Sequence, residues 1–177
     1  MLYRLSSLLY FTGILLFVSS CTSNKDNPSL PSGNPTPPNN TSGLPVDKIT
    51  LPQGFKISVF ANNVGNARSM ARGDNGTIFV GNRTGSSVYA LVDTDGDFVA
   101  DVKYTIASGL NSPNGVAFRQ GSLYVATISS ILRYDNIESN LENPPQAVVV
   151  YNGYPSDAHH GWKYIAFGPD DKLYVPV

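Results

Sequence analysis

The sequence predicts an all-β fold, and three observations support this prediction. Short apolar runs separated by Gly, Asn and Asp fill the chain from about residue 49 onward. The chain contains 16 glycines and 13 prolines, a composition typical of a turn-rich β protein. A strand-like segment with a central alanine, a Gly/Asp turn and an apolar-aromatic-valine triplet also occurs three times, centred on Ala71, Ala117 and Ala166.

The repeat has the spacing of a β-propeller blade. The three triplets begin at Ile78, Leu123 and Leu173, so they are 45 and then 50 residues apart. Further strand-like runs bring each complete unit to four short strands, the content of one propeller blade. These runs are residues 87–93, 102–107, 131–135 and 147–151. A β-sandwich would also have many short strands, but it would lack the self-similarity, and a solenoid is the weaker alternative.

The last unit ends within a strand-like run, residues 174–177, after about two and a half blades. We therefore expect an N-terminal fragment of a longer propeller. A Gly-Pro-Asp-Asp turn at residues 168–171 lies between two β-rich runs and predicts an antiparallel hairpin. His159 and His160, the only histidines of the chain, precede this hairpin in a loop, where site residues tend to lie.

Residues 1–20 have the pattern of a secretory signal peptide: one basic residue, Arg4, precedes an apolar run over residues 8–18 and two serines. The run is too short to cross a bilayer comfortably, which takes roughly 20 apolar residues. Cys21 follows; it is the only cysteine and resembles the lipidated cysteine of bacterial lipoprotein signals. We expect an exported protein attached to a membrane of the bacterial cell envelope through a lipid anchor only. A plain secreted protein and a retained membrane anchor are the alternatives.

Residues 21–48 are predicted to be a disordered linker, because they are rich in Pro, Ser and Asn and poor in apolar side chains. The domain with the repeats follows as residues 49–177. The whole chain has 12 Lys and Arg against 13 Asp and Glu, a net charge of −1. This balance argues against a nucleic-acid partner.

Three polar residues occupy equivalent positions in the repeats. Arg68, Asn114 and Lys163 each stand three residues before the repeated alanine, at the start of a predicted strand. Two cations and an amide arranged around an axis would suit an anionic or oxygen-rich ligand. The alternative is that they are solvated residues at strand starts.

A second candidate site is the aspartate-rich stretch Asp-Thr-Asp-Gly-Asp that begins at Asp93. Alternating carboxylates from Asp93, Asp95, Asp97 and Asp101 are the hard oxygen ligands that calcium prefers. The stretch is not an EF-hand, because Phe98 stands where that loop has glycine. A hairpin turn without a metal is an equal alternative, and any calcium here would be structural.

The segment that begins at His160 resembles the glucose/sorbosone dehydrogenase family. Residues 160–170 read HGWKYIAFGPD and keep the family's spacing from the histidine to the Gly-Pro-Asp turn, with the glycine shifted by one position. Three further stretches resemble the sorbosone-dehydrogenase branch: Leu-Pro-Gln-Gly-Phe at 51–55, the aspartate-rich stretch at 93–97, and Ser-Pro-Asn-Gly-Val-Ala-Phe at 112–118. The likeness covers residues 49–177.

Family members are six-bladed propellers that use pyrroloquinoline quinone (PQQ). The resemblance implies oxidation of a sugar or sugar-derived alcohol or aldehyde, with His160 taking the hydroxyl proton while hydride passes to the quinone and on to an electron acceptor. The three carboxylates of PQQ would give Arg68 and Lys163 a reason to be cationic, with Asn114 and His159 as further cofactor contacts. His159 replaces an aspartate common in the family. Since most cofactor and calcium contacts of the family come from later blades, the fragment alone is expected to be inactive.

Two other functions fit the same fold. One is a calcium-dependent lactonase of the gluconolactonase-like propellers, which would need acidic ligands around the channel where this chain has Arg68, Asn114 and Lys163. The other is a non-enzymatic cell-surface propeller that binds glycan or protein through its loops, because propellers host many functions.

The lipid anchor can be tested by labelling. The wild-type protein should partition into detergent and incorporate labelled palmitate when it is made in a bacterial host that processes lipoproteins. Cys21→Ser lacks the acceptor thiol and should lose both properties. Equal labelling of the two proteins would contradict the anchor.

Overall fold

The computed structural model describes residues 43–177. The predicted signal peptide, Cys21 and most of the predicted linker lie outside the described residues. Residues 49–66 contain no helix or strand, and the described helices are two single 3-10 turns, Val46–Lys48 and Ile137–Ser139. Within the described residues, no helix has the length and apolar character needed to span a membrane.

The first sheet is a four-stranded antiparallel meander in the order β1-β2-β3-β4. Its strands are β1 (Ala67–Arg72), β2 (Ile78–Asn82), β3 (Val88–Val92) and β4 (Val102–Ala107). The pairing shifts between Ala67 and Met70, so β1 begins with an irregularity beside the end of β2.

The second sheet repeats this meander in the order β5-β6-β7-β8. Its strands are β5 (Gly115–Arg119), β6 (Ser122–Ala126), β7 (Ile131–Tyr134) and β8 (Val148–Tyr151). All four residues of β8 are exposed, as expected for the outer edge of a sheet.

A third sheet begins with the antiparallel pair β9 (Ala166–Phe167) and β10 (Leu173–Tyr174). The amide of Asp171 donates to the carbonyl oxygen of Gly168 at 3.1 Å and closes the turn. Asp171 has a φ of 61°, which its short polar side chain tolerates. The predicted hairpin is therefore confirmed.

The all-β prediction and the four-stranded repeat are confirmed. Ala71, Ala117 and Ala166 each lie on the first strand of a sheet, namely β1, β5 and β9. These first strands adjoin one another, β5 lying between β1 and β9. Separate meanders joined through their first strands are the arrangement of propeller blades, and they differ from the two facing sheets of a sandwich.

Apolar side chains fill the spaces between consecutive sheets. Phe79 of β2 is fully buried between the first two sheets, and its ring stacks on that of Phe118 with centroids 5.7 Å apart. A second cluster joins Ala117, Ala126 and Ile131 of the second sheet to Ile165 just before β9. Consecutive residues of the inner strands are buried, Phe79–Asn82 on β2 and Gly115–Ala117 on β5. The second sheet is thus covered on both faces, by the first sheet through one cluster and by the third through the other.

The first strands meet through glycines and hydrogen bonds. The hydroxyl of Ser69 donates to the carbonyl oxygen of Asn114, and the side-chain amide of Asn114 donates to the carbonyl oxygen of Lys163 at 2.8 Å. A side-chain carbon at Gly115 would overlap that same Lys163 oxygen. One at Gly81 would overlap the carbonyl oxygen of Asn114. Each sheet is therefore fixed to the next at the start of its first strand.

The close approach at Gly115 predicts a marked loss of stability in Gly115→Ala. The added methyl group would overlap the Lys163 backbone, and overpacking of this kind typically costs about 1–3 kcal/mol. Gly65→Ala is the matched control, because its new carbon would enter open space at a backbone φ that alanine accepts. Urea denaturation of the protein would measure the stability of both variants. Equal midpoints for the two variants would contradict the tight contact.

Candidate functional site

One end of the sheets gathers the loops that carry the candidate site. The registers Ala67↔Asn82 and Gly115↔Ala126 place the starts of β1 and β5 at the same end as the loops that follow β2 and β6. Hydrogen bonds join these loops: the amide of Leu110 donates to the carbonyl oxygen of Ser86. The amide of Ile128 donates to the carbonyl oxygen of Asn111. The loop that precedes β9 and contains His160 packs onto this end.

His160 is exposed and has a left-handed backbone, with a φ of 60°. Histidine is one of the few side chains enriched in this region. The turn is tight, since the amide of Gly161 donates to the carbonyl oxygen of Ala158 at 3.2 Å. The His160 ring lies between two others: His159 at 4.4 Å in a T-shaped contact and Trp162 at 5.4 Å. The imidazole is thus held at the surface by its neighbours.

Trp162 connects this turn to the first sheet. Arg83, in the loop after β2, places its guanidinium carbon 3.9 Å from the centroid of the Trp162 ring. A cation over a tryptophan face contributes about 0.5–2 kcal/mol. Sequence reasoning missed Arg83, because the equivalent position of the second repeat is an isoleucine, Ile128, and the repeat therefore gave no signal.

Lys163 is only 3% exposed, and its ammonium group points into the protein. It donates to the carbonyl oxygens of Ile128 and Gly161, the latter at 2.9 Å, and lies 4.8 Å from the Tyr154 ring. Burial lowers the pKa of the Lys163 ammonium. Lys163, which was predicted to contact a ligand, therefore connects two loops through its ammonium group. Its role as a cofactor contact stays a prediction.

The other two residues of the predicted set differ from each other. Asn114 is 3% exposed and uses its amide nitrogen in the bond to Lys163, while its Oδ1 atom has no hydrogen-bond partner in the described part of the chain. Arg68 is exposed in the irregular start of β1, at the same end as Arg83. Of the predicted set, only Arg68 presents its charge to solvent.

A cavity opens beside His160. Three of the residues that line it have side chains that can exchange or share protons: Asp157, His159 and His160. It therefore offers an imidazole within the same space as a carboxylate and a second imidazole. This arrangement suits proton transfer to or from a hydroxyl group.

The aspartate-rich loop lies at the opposite end of the first sheet, because it joins β3 to β4 next to the Val92↔Val102 pair. Carboxylate oxygens of Asp93, Asp95 and Asp101 lie within 4.8 Å of one another. Asp97 does not belong to this cluster. The structure therefore brings together three of the four predicted metal ligands.

The loop satisfies its own carboxylates. Asp93 accepts from the amides of Gly96 and Phe98 at 2.8 and 2.9 Å. Asp101 accepts from the hydroxyl and the amide of Thr94 at 2.6 and 2.7 Å, and these hydrogen bonds lower the pKa of the Asp101 carboxyl. The loop is an ordered turn in its own right, and calcium binding stays a prediction.

Two of the solved structures that resemble this chain are described in terms of sugar oxidation. The PQQ-bound aldose sugar dehydrogenase of Streptomyces coelicolor aligns over 67% of this chain and 40% of its own, with 21% identity and a TM-score of 0.49. A protein of Thermus thermophilus described as an oxidoreductase (glucose dehydrogenase) aligns over 62% of this chain and 36% of its own, with 20% identity and a TM-score of 0.45.

Sequence comparison found an uncharacterized protein of Borreliella burgdorferi, 28% identical over 94 residues, which are 52% of this chain and 23% of that protein. The chain thus spans less than half the length of each of these three relatives. Residues 44–177 match a family described as a domain of unknown function, DUF7133. This match covers the whole of the repeat region, and the chain belongs to that family.

Proposed function

We propose that this chain is the part of a propeller dehydrogenase that supplies the general base for oxidising a sugar or sugar-derived alcohol or aldehyde. The observation that carries the proposal is His160. Its exposed imidazole lines a cavity formed by the loop before β9 and the residues after β10, at the same end of the sheets as the loops that follow β2 and β6. The motif around it supplies the resemblance to PQQ-dependent enzymes.

The geometry suits removal of a proton from a substrate hydroxyl. Imidazole is an effective base near neutral pH, and a positioned base typically contributes about 10²–10⁴-fold to the rate. The contacts of His160 with His159 and Trp162 limit the orientations of its ring.

PQQ would accept the hydride that leaves the substrate carbon. The cofactor carries three carboxylates, so its site must offer cations and hydrogen-bond donors. Arg68 is exposed at the end of β1 that lies on the same side of the sheets as His160, and His159 lines the cavity, so both fit this requirement. Asn114 and Lys163 would support the site from within, since their donors are bonded to backbone carbonyl oxygens.

The lactonase alternative requires acidic metal ligands at the end of the sheets where His160 lies. The described carboxylates that cluster, those of Asp93, Asp95 and Asp101, lie at the opposite end. The arrangement therefore favours the dehydrogenase. Attachment to the cell envelope through Cys21 would place such an enzyme outside the cytoplasm, where small sugars and membrane electron acceptors are available.

The role of His160 predicts a specific loss in His160→Asn. Asparagine accepts the left-handed backbone of this position, so the turn is kept while the base is removed. We expect kcat to fall by about 10²–10⁴-fold and the pH profile to lose its ascending limb. Steady-state turnover of the full-length protein with PQQ, a panel of aldoses and a dye acceptor would measure this.

His159→Asn is the control, because it changes the neighbouring imidazole to the same side chain. It should reduce kcat less than His160→Asn does, since His159 is assigned to cofactor contact and not to proton transfer. An unchanged kcat in His160→Asn, or a larger loss in His159→Asn, would overturn the assignment of the base.

A further inference from the structure

We propose that Arg83, together with the Trp162 ring beneath it, binds a carboxylate group of the ligand at this site. The inference rests on the proposed function, because the ligand it names first is a carboxylate of PQQ. A carboxylate of an acidic sugar substrate has the same chemistry. Neither the repeat nor the family motif points to Arg83.

The charge of Arg83 is unpaired. Two other arginines of the described chain are neutralised by carboxylates: Arg133 pairs with Asp135 at 2.6 Å, and Arg119 pairs with Asp171. Arg83 is half-buried, and within residues 43–177 no carboxylate pairs with it. A partly desolvated guanidinium without a counter-charge favours the arrival of an anion.

The Trp162 ring fixes the guanidinium and leaves its donors available. The contact at 3.9 Å uses the ring face, and none of the N–H groups of Arg83 donates to another described residue. A guanidinium has five N–H donors in a rigid plane, which matches the two oxygens of a carboxylate. Stacking against an aromatic ring orients this plane before the ligand binds, so less freedom is lost on binding.

The position of Arg83 is suited to the proposed reaction. Trp162 contacts both Arg83 and His160, and the ring centroids of Trp162 and His160 are 5.4 Å apart. Lys163, the other cation of this turn, is buried against backbone carbonyl oxygens. Arg83 is therefore the cation placed to bind an anionic group close to the candidate base, because both residues contact the Trp162 ring.

Trp162 itself provides the measurement, because it is the only tryptophan of the chain up to Val177. The full-length protein, freed of cofactor, is titrated with PQQ and with the PQQ trimethyl ester while the tryptophan emission is followed. If later parts of the protein add tryptophans, they are replaced by phenylalanine beforehand. Arg83→Met should weaken PQQ binding by about tenfold or more, the usual size of a lost charge-assisted hydrogen bond. The ester, which lacks the charges, should bind both proteins equally.

Two further variants separate ligand binding from a merely structural role. Arg83→Lys keeps the charge without the planar donors and should give an intermediate affinity. Arg72→Met removes the same charge from the opposite end of the same sheet, where Arg72 pairs with Ile78, and should leave PQQ affinity unchanged. Circular dichroism and thermal denaturation identify any variant that fails to fold. If Arg83→Met fails to fold, the PQQ affinity of Arg83→Lys is the measurement that tests the inference.

The outcomes distinguish the two possible sources of the carboxylate. If PQQ affinity is unchanged in Arg83→Met while the KM for glucuronate rises and that for glucose does not, the bound carboxylate belongs to the substrate. If neither changes, the inference is overturned. If the wild-type protein binds no PQQ, the proposed function fails, and the Arg83 site is then tested by glucuronate against glucose through the Trp162 emission. Equal responses of wild type and Arg83→Met to glucuronate would overturn it.

Discussion

The contact on which the rest of the structure depends is the one between consecutive first strands. A hydroxyl of one sheet and a side-chain amide of the next each bond to a backbone oxygen of the following sheet, Ser69 to Asn114 and Asn114 to Lys163. Polar groups buried at this depth are costly when they lack partners, so these bonds fix the distance and the register between sheets. Gly81 and Gly115 allow the approach, since any larger side chain would separate the strands.

The same contact explains how the candidate site is assembled. The backbone oxygen of Lys163 joins β9 to the second sheet, and the ammonium group of the same residue holds the loop after β6 and the turn after His160. One residue therefore links the inter-sheet contact to the turn that presents the imidazole. Arg83 adds a link from the first sheet through Trp162. The His160 turn is held by all three repeats, although it belongs to one.

Much of the fold could be predicted from the sequence, and the reason is the repeat. The alanine-centred strands and the strands at 88–92 and 102–107 follow from short apolar runs and turn residues, which are local properties. The direction of a long side chain depends on residues that are distant in the sequence. Lys163 stands at a position predicted to face the channel, but its buried ammonium group points inward and donates to two backbone carbonyl oxygens. The contact of Arg83 with Trp162 could not be predicted from the sequence, because the two residues are 79 positions apart in the chain. Asp97 looks equivalent to Asp93 in the sequence, but turn geometry separates their oxygens.

The left-handed backbone at residue 160 also restricts how this position can vary during evolution. Gly, Asn, Asp and His are the residues most enriched in this conformation. Among these four, only histidine is a neutral base near pH 7. A chain that loses the imidazole can keep the turn with Asn, Asp or Gly, and under the proposed function these replacements would mark descendants of this fold that lack the base. A β-branched residue at the same position, where a positive φ is a genuine outlier, would signal that the turn itself has been rebuilt.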